Sequence, residues 1–182
     1  VAPATLMFAK FSPQGDRVAY VREHNIYVEN LENHEIIQLT QDGTDRIING
    51  TFDWAYEEEF HCRDGFRWSP DGRNIAYWRV DATTIRDFYM INNTDSIYSY
   101  LIPVEYPKAG EKPSEAKIGV VDASGGSTVW MQIEGDPTNN YLPRMIWHPN
   151  GDKLLMQQLN RAQNHNKILE GTIADGHVKK IY

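Results

Sequence analysis

One pattern occurs three times in this chain: Phe11-Ser12-Pro13-Gln14-Gly15-Asp16-Arg17-Val18-Ala19-Tyr20, then Trp68-Ser69-Pro70-Asp71-Gly72-Arg73-Asn74-Ile75-Ala76-Tyr77, then Trp147-His148-Pro149-Asn150-Gly151-Asp152-Lys153-Leu154-Leu155-Met156. Each copy places an aromatic ahead of Pro and an Asn/Asp/Gln-Gly pair, followed by alternating apolar residues. Gly supplies the positive φ that a tight turn needs, so each copy reads as strand, turn, strand. Self-similar hairpins in units of roughly 40–50 residues with about four strands each are the mark of β-propeller blades, which bury their faces only by stacking on one another. The chain is therefore expected to be all-β, a partial β-propeller of about three to four blades. Closed propellers contain about four to eight blades, so this is an arc whose open edges need a partner.

Further strands are expected over residues 25–30, 36–39, 78–80, 116–122, 128–133, 153–159 and 167–169, with Gly, Asn and Asp between them. No long helical periodicity is present. The copies are unevenly spaced, which requires an insertion in each interval.

The first insertion carries Asp53-Trp54-Ala55-Tyr56-Glu57-Glu58-Glu59. Asp53 can cap a short acidic helix over about 53–60, with Trp54 and Tyr56 either as its core anchors, the favoured reading, or lining the site. On a strand Glu58 and Glu59 would point to opposite faces, whereas on a helix they lie about 100° apart and can reach one point. Three adjacent like charges cost stability, and a helix N-terminus offsets only part of that. Such a conflict is more expected at a functional site than in inert structure. An ammonium has three N–H donors and one charge, which two or three convergent carboxylates satisfy; capture of a peptide N-terminus is a recurring mode of recognition. The competing reading is a solvated acidic turn.

The second insertion runs from about Arg86 to Pro107 and ends in Tyr106-Pro107-Lys108-Ala109-Gly110. Its Phe88, Tyr89, Ile91, Ile97, Tyr98, Tyr100 and Leu101 would be exposed on a protruding arm, which suggests an interface because a lone hairpin buries too little to be stable. The alternative is a long hairpin folded back on its own blade.

Other chemistry finds little support. A net charge of −7 with scattered basic residues leaves no footprint for nucleic acid. Gly-x-Ser-x-Gly and phosphate-cradling loops are missing, and the histidines lack metal-ligand spacing, so neither a metal nor a cofactor is expected. Two adjacent glutamates on one short helix fit glycoside hydrolysis poorly, since that needs carboxylates flanking a sugar. The single cysteine, Cys62, excludes an internal disulfide and reads as a small residue beside a strand. No apolar run is long enough to span a membrane, and Val1-Ala2-Pro3-Ala4 does not read as a leader.

Taken in order, the acidic motif, Tyr106-Pro107-Lys108-Ala109-Gly110, Leu159-Asn160-Arg161-Ala162-Gln163-Asn164 and the Trp68-Ser69-Pro70-Asp71-Gly72 repeat resemble the N-terminal β-propeller of the dipeptidyl peptidase IV branch of the prolyl oligopeptidase family. The resemblance covers the chain from about Phe8 to its end. It implies a parent serine exopeptidase that releases Xaa-Pro or Xaa-Ala dipeptides, with an eight-bladed propeller capping an α/β-hydrolase domain. Glu58 and Glu59 would bind the substrate's α-ammonium, with Glu57, Tyr56, Trp54 and Asp53 in support. The arm would contribute to a homodimer. The serine, aspartate and histidine of the triad and the family's carbonyl-holding arginine lie outside the matched stretch, so the fragment alone is expected to be inactive. One cysteine in place of the disulfides of vertebrate relatives fits a bacterial, periplasmic or cell-envelope protein. Two other readings remain: a non-enzymatic, TolB-like binding scaffold, and a related peptidase with changed specificity.

Overall fold

A computed structural model describes residues 5–182; residues 1–4, read above for a leader, lie outside them. The described strands form three antiparallel sheets, of four, five and four strands, and a separate hairpin. The first meander comprises β1 (Leu6–Phe11), β2 (Arg17–Arg22), β3 (Asn25–Asn30) and β4 (Ile36–Gln38). In the second, β5 (Ile47–Asn49) and β6 (Phe66–Trp68) flank helix α1 (Trp54–Phe60) and both pair with β7 (Asn74–Asp81). After the hairpin β8 (Asp87–Asn92) and β9 (Tyr100–Glu105), that sheet resumes with β10 (Glu115–Asp122) and β11 (Val129–Trp130). The third contains β12 (Asn140–Trp147), β13 (Lys153–Asn160), β14 (Asn166–Thr172) and β15 (Val178–Lys180). These are three blades of a partial propeller, as the repeats imply.

The repeats build the same turn each time. Gly15, Gly72 and Gly151 have φ of 75°, 68° and 75°. Their N–H groups donate to the carbonyls of Ser12, Ser69 and His148, each at 2.9 Å. The repeat aromatics then tie one blade to the next. Trp68 Nε1 donates to Lys10 O at 3.0 Å and Trp147 Nε1 to Arg67 O at 3.1 Å, in each case the carbonyl just before the aromatic of the preceding copy.

Stacking explains the burial patterns. Along β7, Ile75 and Tyr77 face the first blade and pack with Ala19, Val21, Ile26 and Val28, while Ala76 and Trp78 face the third and pack with Leu142, Leu154 and Met156. A strand covered on both sides is almost continuously buried, whereas β13, with a neighbour on one side, alternates. The strand expected over 128–133 shortens to Val129–Trp130 because Gln132 N–H leaves the ladder for Gly176 O in the third blade, at 2.8 Å. The strand expected over 167–169 lengthens, since β13 and β14 pair from Lys153↔Thr172 to Leu159↔Asn166.

Both insertions belong to the middle blade. Gly50 N–H donates to Trp78 O at 3.0 Å and Trp78 N–H to Gly65 O at 2.9 Å, so residues 51–64 leave and rejoin the ladder at a single partner. A Cβ on Gly65 would lie 2.7 Å from the carbonyl carbon of Gly50, which excludes a side chain at this pinch. The arm interrupts the same sheet between β7 and β10, whose pairing resumes at Glu115↔Asp81.

Candidate functional site

The acidic excursion holds its shape through its ends and its inner face. Asp53 is extended, with φ −80° and ψ 175°, and its Oδ1 accepts from Tyr56 N–H at 3.1 Å, capping the helix. Its Oδ2 accepts from Ser114 Oγ at 2.6 Å, in the segment that returns from the arm. Burial raises the Asp53 carboxyl above its ordinary value, opposed by the Ser114 and Tyr56 hydrogen bonds. At the other end His61 takes a left-handed conformation (φ 54°), its N–H donating to Glu57 O at 3.0 Å, and Arg144 Nη2 donates to Phe60 O at 3.1 Å.

Tyr56 is the main anchor. Its ring is fully buried against Phe52, Phe60 and Tyr141, with burial holding the phenol far above its usual range. Its oxygen accepts from Leu142 N–H at 3.1 Å, while Trp78 Nε1 donates to Leu142 O at 2.8 Å. Leu142 sits where the β12–β13 register shifts between Tyr141 and Arg144, and Pro143 beside it has no N–H. Two aromatic side chains thus satisfy the backbone groups that the bulge releases. Trp54 departs from the expectation that both aromatics are core anchors. Positions 54 and 56 are about 200° apart around a helix, so one core cannot take both. Trp54 is 36% exposed and packs against Tyr106 in a tilted pair, ring centroids 4.1 Å apart.

The glutamates divide. Glu57 pairs with Arg63, Oε1 to Nη2 at 2.9 Å. Glu58 and Glu59 are exposed and have no ion-pair partner among the described residues. Glu59 lines a cleft of about 370 Å³ with Trp54, Tyr106, Lys108, Tyr141 and Arg161; Glu58 stands outside that lining on the next helical position. Arg161 helps hold the far wall, donating to Tyr141 Oη and, at 2.9 Å, to Glu111 O. Sequence reasoning singled out the stretch containing Arg161 only as a matching motif. Its role as a wall emerges from the side-chain bond it makes to Tyr141 of β12 from just past the end of β13. Chemically, the arrangement offers two solvated carboxylates on a fixed helix beside an aromatic cleft, suited to a compact cation.

Residues 2–181 match the family model for the dipeptidyl peptidase IV N-terminal region. The chain is similar to the crystal structure of Porphyromonas gingivalis dipeptidyl peptidase 4, with a TM-score of 0.90 and 32% identity over 97% of this chain and 25% of that one. It is also similar to a putative dipeptidyl aminopeptidase IV from Bacteroides ovatus, with a TM-score of 0.80 and 25% identity over 96% of this chain and 23% of that one. A probable dipeptidyl-aminopeptidase B of Pyrenophora tritici-repentis is 28% identical over 178 residues, which are 90% of this chain. The chain spans 20% of the length of that relative.

Proposed function

Because the chain belongs to the dipeptidyl peptidase IV N-terminal region family, we propose that it is the substrate-recognition segment of a serine exopeptidase that releases Xaa-Pro or Xaa-Ala dipeptides, with Glu58 and Glu59 binding the free α-ammonium. The observation that carries this reading is the division of the acidic run. Glu57 is engaged by Arg63, while Glu58 and Glu59 stand free on a helix whose opposite face is locked by Tyr56.

A bound ammonium donates to both carboxylates and relieves their mutual repulsion, each charge-assisted bond contributing about 1.5–3 kcal/mol. Anchoring the amine at a fixed helix turns distance into specificity: a hydrolytic group held at constant separation meets the bond after the second residue. The α/β-hydrolase domain of the parent chain supplies that group, the arm seats a second copy, and the protein works in the periplasm or cell envelope. These parts of the proposal rest on the family resemblance.

Cleavage of a Gly-Pro chromogenic substrate by the full-length protein tests it. Glu58→Gln and Glu59→Gln are each expected to lower kcat/KM about 100-fold, equivalent to about 2.7 kcal/mol, with unchanged melting temperature. N-acetylation of the substrate should abolish cleavage. Equal turnover of free and acetylated peptides would sink the ammonium reading, and no turnover of either would favour the scaffold.

A further inference from the structure

A second cleft, of about 240 Å³, opens where the helix ends, with Phe52, Cys62, Asp64, Arg67, Trp78 and Arg144 among its lining. It is cationic. Arg67 spends Nη1 on Asp64 O at 3.0 Å, Asp64 Oδ2 at 2.9 Å and Phe66 O at 2.7 Å. Arg144 directs Nη1 to Pro143 O at 2.7 Å and Cys62 Sγ at 3.4 Å, and Nη2 to Phe60 O at 3.1 Å. Nη2 and Nε of Arg67 and Nε of Arg144 donate to no acceptor among the described residues.

Asp64 is the one carboxylate in this lining, and it also takes the Lys10 ammonium. Burial pushes the Cys62 thiol up, so it brings no negative charge at neutral pH despite its two arginine neighbours. Lys10 and Arg67 thus share Asp64, while Arg144 has no carboxylate partner among the described residues, beside aromatic surface in which Phe52 and Trp78 have ring centroids 5.1 Å apart. Arg144, in its wall, donates to the carbonyl of Phe60, the residue after Glu59. A short apolar stem ending in one negative charge matches it. A more highly charged anion would be opposed by the neighbouring glutamates, while a planar carboxylate suits a guanidinium fork.

We propose that this cleft receives the side-chain carboxylate of an acidic first residue of the peptide substrate, with Arg67 and Arg144 donating to it. The ammonium anchor proposed above, at Glu58 and Glu59, directly precedes Phe60, whose carbonyl Arg144 holds, so the first residue's side chain is the one that starts nearest the cleft.

The full-length protein should be assayed on Glu-Pro, Gln-Pro and Lys-Pro chromogenic substrates at low and high salt. Glu-Pro is expected to exceed its neutral isostere Gln-Pro about tenfold in kcat/KM at low salt, with Lys-Pro lowest. Arg67→Met and Arg144→Met should bring the Glu-Pro to Gln-Pro ratio towards one. A wild-type ratio near one, or a ratio retained in both variants, overturns the assignment. If the Arg144 change unfolds the protein by uncapping the helix, the wild-type ratio and Arg67→Met still decide. Glu58→Gln and Glu59→Gln separate the two readings. If they depress all three substrates while the wild-type ratio is near one, only the carboxylate cleft falls; if they leave all three unchanged, the ammonium anchor falls.

Discussion

The acidic excursion and the arm leave the same blade, yet only the excursion buries aromatic residues, Tyr56 and Phe60, in a core. Residues 51–64 carry a capped helix whose Tyr56 and Phe60 enter a core with Ile48, Val80 and Tyr141. The arm is a two-stranded ribbon with Tyr89, Met90, Ile91 and Leu101 all exposed, and with Ile97 and Tyr98 at 97% and 84% exposure. It is tied down at its base, where Arg46 donates to Ile85 O at 2.7 Å and pairs with Asp87 at 2.5 Å. The difference is one of self-sufficiency. The excursion holds its carboxylates in place with contacts inside the chain, whereas the arm presents apolar surface that nothing among the described residues covers. The proposed homodimer would cover this apolar ribbon.

Removing matched side chains from the two insertions tests this contrast most severely. Tyr56→Ala empties a filled core site and leaves Leu142 N–H without its acceptor, so a loss of about 3–5 kcal/mol is expected in denaturant unfolding of the full-length protein. Tyr98→Ala in the arm should change stability by less than about 0.5 kcal/mol. Similar losses at the two sites would erase the distinction.

A smaller loss is expected at the pinch. Gly65→Ala forces a Cβ into the Gly50 backbone and should cost about 1–3 kcal/mol, read as a lowered midpoint with an unchanged denaturant slope. A neutral result would mean that the two glycines do not need their close approach.

The cap sharpens the comparison through pH. Burial raises the Asp53 carboxyl above its ordinary 3.8, against the bonds from Ser114 and Tyr56. The folded state then holds this proton more tightly than the unfolded one, so the cost of the buried charge is absent below 3.8 and grows as pH rises through the raised folded value. Asp53→Asn keeps an acceptor for Tyr56 N–H and should gain stability relative to the parent across that window. Parallel stability profiles would show that the carboxylate is not penalised. Asp53→Ala, which removes the cap as well, should cost about 1 kcal/mol at low pH.

The smallest effect on stability belongs to the arm tip. Ile97→Ser with Tyr98→Ser should stay within about 0.5 kcal/mol of the parent while shifting sedimentation from dimer to monomer. An unchanged oligomeric state would remove the arm from the interface.

These regions also differ in how much of them the sequence revealed. The three turns were legible because Pro and Gly act locally, and the helix bounds because Asp53 and the aromatic pattern lie within a few residues of each other. The split of the blade's first strand was not. Ile47–Asn49 has no turn signal of its own and is defined by pairing with Arg79, Val80 and Asp81. The cationic cleft was likewise hidden, since Arg67 and Arg144 come from first strands of different blades and no spacing rule joins them. Trp54 illustrates a subtler limit: an aromatic in a short helix announces burial, but the partner that half covers it, Tyr106, arrives from the far side of the arm.

The closure of the excursion on Trp78 has a further consequence. Because both its ends meet one residue of the neighbouring strand, the excursion leaves the ladder of its own blade unbroken, and only its inner face, Tyr56 and Phe60, is tied to the third blade. The outward positions of an element mounted in this way are free to vary. They can take a different charge while the inner face and the surrounding scaffold keep their geometry.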